Sequence, residues 1–213
     1  MTIAEWKQII RPLLPAGQPW EFRGRLCYRL PVHRVVQGVL GEGSSFDRAI
    51  YIWRVSMPLF VPSKTMTLTW SKRMGVARKY YLNDPQALSA AIGAAFSSIG
   101  TEDDALIGIA AQAVQATANR KANEVAAYGQ LLLGELSTAA EALARASTGI
   151  AGSPWEHEVI QRVQLISGLL DQQGRDSAID QLDQWCEQTA GALGLRRSVD
   201  LHGQRSPNLH TQA

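Results

Sequence analysis

The chain has 213 residues, of which 46% are hydrophobic and 19% charged, with a formal net charge of +2. These proportions are those of a globular protein and exclude a wholly disordered chain. No apolar run approaches the ~20 residues that cross a bilayer, and the opening Met1-Thr2-Ile3-Ala4-Glu5-Trp6-Lys7 lacks the pattern of a secretory signal. Two cysteines, Cys27 and Cys186, stand in different halves and read as free thiols, which suits a cytoplasmic protein of bacterial type.

The small net charge hides an asymmetry. Residues 1–83 hold 13 Lys+Arg against Glu5, Glu21, Glu42 and Asp47, a net of +9; residues 84–213 hold eight against 15 acids, a net of −7. Such a split suits charged partners, or two halves that attract each other across their own interface.

In chain order, Ile3, Trp6, Ile9 and Ile10 mark a short helix over 2–11, stopped by Pro12 and Pro15. Phe22, Gly24, Leu26, Tyr28 and Leu30 then alternate with Glu21, Arg23, Arg25, Cys27 and Arg29, the period of a half-buried strand over 21–30 with a basic outer face. Residues 31–47 are ambiguous, since Val35, Val36, Val39 and Leu40 suit a short helix or a strand. A second strand over 48–57 is rich in β-formers (Ile50, Tyr51, Ile52, Trp53, Val55) and ends before Pro58. A third is expected over 65–71, with Met66, Leu68 and Trp70 inward and Thr67 and Thr69 outward.

From residue 84 onward the pattern is helical. Asp84-Pro85, Thr101 with Asp104, and Ser153-Pro154-Trp155-Glu156 are helix starts. Stripes such as Leu88, Ala91, Ile92, Ala95, Phe96 and Val159, Ile160, Val163, Ile166 predict about six helices in an antiparallel bundle. The tail 196–213 is patternless and is expected to be mobile. The fold class is therefore α+β. A small antiparallel sheet occupies a basic half (1–83), an acidic helical half follows (84–195), and no spacer separates the two.

Chemistry at motif spacing is sparse. The four histidines are scattered, and Glu156-His157-Glu158 point about 100° apart on a helix, so they do not converge on one metal. Gly41-Glu42-Gly43-Ser44-Ser45 lacks the lysine and spacing of a phosphate loop. Asp103-Asp104 sit where a helix start favours acids. No cofactor, metal or catalytic group is expected. Two candidate binding faces remain: a basic one (Arg23, Arg25, Arg29, Arg48, Arg54) and an acidic one (Asp171, Asp176, Asp180, Asp183). The basic residues are interleaved with Tyr28, Tyr51, Trp53 and Trp70, and sheets that show aromatics among basic residues stack single-stranded bases. The competing reading is a set of core aromatics beneath a basic solvent face.

Two resemblances add to this. Gly134-Glu135-Leu136 and Gly174-Arg175-Asp176, each between two helical patterns and offset by 40 residues, resemble degenerate tetratricopeptide-style hairpins. The run Met57-Pro58-Leu59-Phe60-Val61-Pro62-Ser63, then Leu68-Thr69-Trp70-Ser71-Lys72-Arg73-Met74-Gly75, and Leu182-Asp183-Gln184-Trp185 resemble an uncharacterised group of small bacterial proteins. Proteins of that type are similar to immunity and accessory proteins found beside bacterial toxins. The resemblance implies a non-enzymatic protein that binds a protein partner, an immunity-type inhibitor in its particular form. The alternative is a nucleic-acid-associated protein using the basic sheet.

Overall fold

A computed structural model describes residues 1–44, 49–75, 79–116 and 118–197. The first helix, α1 (Ile3–Ile10), starts on a closed capping box. The Thr2 hydroxyl accepts from the Glu5 N–H at 3.2 Å, and the Glu5 carboxylate accepts from the Thr2 N–H at 2.6 Å. Trp6 and Ile10 are its buried face.

The strand expected over 21–30 is instead a hairpin, β1 (Trp20–Arg23) and β2 (Leu26–Arg29). Its two-residue turn places Gly24 at φ +60, where type II′ hairpins require glycine. Alternation alone does not reveal a reversal that short, and the consequence for the arginines is direct. Cross-strand partners share a face. Arg23 lies opposite Leu26, Arg29 lies opposite Trp20, and Arg25 is in the turn, so the three do not form one basic face.

The ambiguous stretch is β3 (Val35–Gly43), paired along its whole length with β4 (Ala49–Pro58), from Val35↔Pro58 to Gly43↔Ile50. The third expected strand is absent over 65–71: β5 (Lys72–Arg73), just beyond it, pairs with β4, as does β6 (Tyr80–Tyr81). Local hydroxyl bonds replace the ladder over 65–71. The Ser63 hydroxyl donates to Thr65 O at 2.7 Å and accepts from the Thr65 N–H at 3.3 Å. The Ser71 hydroxyl then caps the β4 edge, accepting from the Ser56 N–H at 3.2 Å. Met66, Leu68 and Trp70 are half-buried and still pack on the core, so the inward direction survives without the strand. The sheet is antiparallel throughout, in the order β1-β2-β3-β4-β5 with β6 also on β4.

Six helices follow: α2 (Pro85–Ser97), α3 (Glu102–Gln115), α4 (Arg120–Leu133), α5 (Leu136–Ser147), α6 (Pro154–Gln173) and α7 (Arg175–Ala192). Asp84, Thr101 and Asn119 cap the first three through the N–H groups of Ala87, Asp104 and Ala122. The box expected at Ser153 is not closed. Glu156 reaches back to the Gly152 N–H at 2.8 Å and to the Ser153 hydroxyl at 3.0 Å, and Ser153 caps nothing.

Both faces of the sheet are covered, which half-buried strands would not need. Trp6, Ile10, Leu88, Ile92 and Phe96 of α1 and α2 pack on Cys27, Val39, Ile50 and Ile52. On the other face Leu26, Tyr28, Val36, Val55 and Met57 join Leu106, Ile109, Val125, Tyr128, Val163, Leu182 and Trp185 in one continuous core. Residue by residue, this core runs from the first hairpin to Leu195. The start of the tail is tied down as well: the Val32 N–H donates to Arg197 O at 2.8 Å, and the Arg196 N–H to the Tyr28 hydroxyl at 2.8 Å. The rest of the tail, 198–213, lies outside the described residues.

Candidate binding surface

The basic-face arginines are held within the molecule. Arg23 Nε donates to Leu193 O at 3.1 Å, just past the end of α7, and Arg54 Nη1 donates to Ser98 O at 3.1 Å, at the end of α2. Cations are favoured at both places because helix C-termini carry partial negative charge. Arg25 Nη2 donates to Met1 O at 2.7 Å, and Arg29 Nη2 donates to the Gln37 side-chain oxygen. Arg48 lies outside the described residues. Arg34, which no sequence pattern singled out, forms a bidentate pair with Asp183 at 2.8 and 2.9 Å. Beside it, the Arg34 and Val35 N–H groups both donate to the Glu102 carboxylate.

The acidic residues divide too. Asp176, Asp180 and Asp183 stand at i, i+4 and i+7 on α7, while Asp171 ends α6. Asp171, Asp176 and Asp180 are exposed, and Asp183 faces Arg34. Part of the charge asymmetry is thus an internal contact between the halves.

Both cysteines are free and buried, and burial pushes each thiol up to about 12. A thiol that far above its ordinary value is protonated at neutral pH and a poor nucleophile. In the helical half, Glu124 is fully buried and takes a bidentate contact from Arg162 at 2.6 and 3.0 Å. Burial pushes the Glu124 carboxyl up, and Arg162 pulls against it. Glu124 lies inside the bundle, where Tyr128 is also fully buried, while the Arg162 side chain stays 18% exposed.

Two of the concavities among the described residues border helices of the C-terminal half. The first, of about 240 Å³, lies where the β4 edge meets α3 and includes Gln37, Arg54, Ser56, Trp70, Asp104 and Gln112. Its polar groups are largely committed. Gln37 accepts from Arg29 and donates to Gly100 O and Thr101 O, Arg54 holds Ser98 O, and Asp104 closes the Thr101 capping box.

The second, of about 360 Å³, opens where the starts of α4 and α6 meet the end of α5, and is lined by Asn119, Arg120, Asn123, Arg145, Thr148, Trp155 and Glu156. Arg120 Nη2 donates to Thr148 O at 2.8 Å, and its Nη1 is 3.5 Å from Glu156. Arg145 Nε donates to Asn123 Oδ1 at 3.3 Å. Glu156 is held below its ordinary range, first by the Gly152 N–H, then by the Ser153 hydroxyl, with a smaller pull from Arg120. Trp155, in the first turn of α6, is 49% exposed at the rim. In the sequence Trp155-Glu156 reads only as part of a helix start, and Asn119, Asn123 and Arg145 carry no motif. The usable signal is the i, i+4 asparagine pair beside an arginine at the start of α4.

Among the described residues no group of three or more His, Cys, Asp or Glu could hold a metal ion, and no helix is long and apolar enough to cross a membrane. No protein-family model matches the chain, and no curated protein or solved structure matches it.

Proposed function

We propose that this is a non-enzymatic binding protein that engages another protein through the concavity between α4, α5 and α6. The observation that carries this reading is Trp155, a large aromatic left half exposed beside two arginines and two asparagines. Tryptophan and arginine are the residues that most often dominate protein interfaces, because each adds large contact area or several donors at one point. Ile150, in the loop between α5 and α6, is 97% exposed and adds apolar surface to the same loop region. An immunity-type inhibitor is one form such a protein takes.

The nucleic-acid alternative loses support, because Arg23, Arg25, Arg29 and Arg54 already donate to acceptors within the chain. The full chain, tagged and recovered from its native host, is expected to bring down one protein in stoichiometric amount. Trp155→Ala should lose that protein while keeping the melting temperature. Equal recovery with the variant would remove this surface from the proposal. Nucleic acid in place of protein, with affinity falling steeply as salt rises, would favour the alternative.

A further inference from the structure

The geometry points to a carboxylate as the group this concavity receives: an acidic side chain or the chain end of the protein partner, with an apolar neighbour resting on Trp155. This rests on the protein-binding reading above and gives the partner's chemistry.

The half of the chain from residue 84 onward has a net charge of −7, yet two arginines line one concavity in it. Among the described residues the only acid lining it, Glu156, is already engaged by the Gly152 N–H, the Ser153 hydroxyl and Arg120. Arg145 is left without a full counter-charge. Its other acidic neighbour, Glu141, is 3.7 Å away and well exposed, and exposed i, i+4 pairs of that kind hold charge weakly.

Donors are also in excess. The Arg145 side chain is 37% exposed, its Nε is fixed by Asn123 Oδ1, and its Nη2 has no partner among the described residues. Asn119 uses its oxygen to cap α4, which leaves its amide N–H groups without a partner among the described residues. A guanidinium edge beside a carboxamide N–H offers a planar oxyanion the short, charge-assisted hydrogen bonds it forms best. Arg120 keeps its bond to Thr148 O, so it fixes the wall and adds positive potential. The volume, about 360 Å³, accepts a residue or two of extended chain, which is less than most drug-sized ligands fill.

The test uses the full-length protein labelled for NMR and two probes, acetyl-Leu-Glu-Leu as the free acid and as the C-terminal amide. At about 10 mM, enough to see millimolar binding, the free acid should shift the Trp155 indole and the Asn119 and Arg145 side-chain N–H signals. A shift with the acid alone assigns the site to a chain end, and equal shifts with both assign it to an acidic side chain. Arg145→Gln should weaken binding about tenfold or more while the chain stays folded with a cooperative melt, since the introduced amide can still donate towards the buried Asn123. Arg145→Lys should restore part of it.

No shift from either peptide, or a response to inorganic phosphate alone, overturns the inference. The two readings fail separately. Partner recovery that needs Trp155 but survives Arg145→Gln keeps the protein-binding reading and discards the carboxylate. Recovery unaffected by either variant discards both.

Discussion

Arg23, Arg25, Arg29 and Arg54, all from the strands and the first turn, end on neutral acceptors: three main-chain carbonyls and one carboxamide. In the helical half, Arg162 ends on the buried carboxylate of Glu124, and Arg145 keeps an unpartnered edge over a concavity. The difference follows from where each half carries its acids. Residues 1–83 have only four, so Arg23 and Arg54 reach for the oxygen-rich ends of helices instead, and Arg25 and Arg29 for a main-chain carbonyl and a carboxamide. An arginine count therefore says little about a binding face until each guanidinium's acceptor is known. Arg34 joins the two regimes, a strand-side arginine that ends on an acid of α7.

The sharpest way to break this comparison is to separate the halves. The sheet is covered on one face by α1 and α2 and on the other by α3 with the rest of the bundle behind it, so residues 1–83 alone would leave much of both faces bare. That fragment should aggregate or stay unfolded. A soluble fragment with a cooperative melt would show that the sheet half needs none of its helical contacts.

Next in size is Arg162→Met. Removing one partner of a buried ion pair leaves the other charge uncompensated, at a cost of about 3–5 kcal/mol. Urea unfolding should report that loss, and adding Glu124→Leu should recover most of it. A single-variant loss near that of an exposed pair would mean that water reaches Glu124.

A smaller effect is expected at Gly38, where a Cβ would stand 2.1 Å from Cys27 O and 2.8 Å from Tyr28 Cα. Those atoms are main chain and have no side-chain freedom to move aside, so Gly38→Ala should cost about 1–3 kcal/mol as an overpacked site. The neighbouring Cys27 thiol is buried and pushed up to about 12, so it should ignore thiol reagents at neutral pH in the wild type. Faster labelling in Gly38→Ala would localise the damage to the β2–β3 pairing. The raised value also fixes a sign. Burial favours the protonated thiol, so its contribution is full below the ordinary value of 9.0 and is lost as pH rises towards 12.

The helices were legible because each has a long apolar stripe and most have a cap, as in Asp84 before Leu88, Ala91, Ile92, Ala95 and Phe96. β4 was legible through its β-branched and aromatic run. The hairpin was not, because a two-residue turn at Gly24 interrupts alternation without interrupting its appearance. The segment 65–71 kept the period of a strand while Ser63 before it and Ser71 at its end took over the hydrogen bonding. The concavity was the least legible feature. It draws Asn119, Arg120 and Asn123 from α4, Arg145 from α5 and Trp155 from α6, and no local pattern joins three helices.

The smallest expected effect is also the one that separates internal contact from partner steering. Arg34 and Asp183 are bidentate at 2.8 and 2.9 Å, yet their side chains are 33% and 45% exposed. At that exposure solvent screens the pair, and a double-mutant cycle of Arg34→Gln and Asp183→Asn should give a coupling of about 0.2–1 kcal/mol. The coupling should shrink as salt rises, since ions screen charges that water can reach. Asp176 and Asp180, exposed on the same stripe of α7, should each change stability by less than about 0.5 kcal/mol when made Asn. A coupling above that range would mark Arg34–Asp183 as the main electrostatic link between the halves. A coupling near zero, with Asp183→Asn slowing capture of the partner, would return Asp183 to the acidic binding face with its two exposed neighbours.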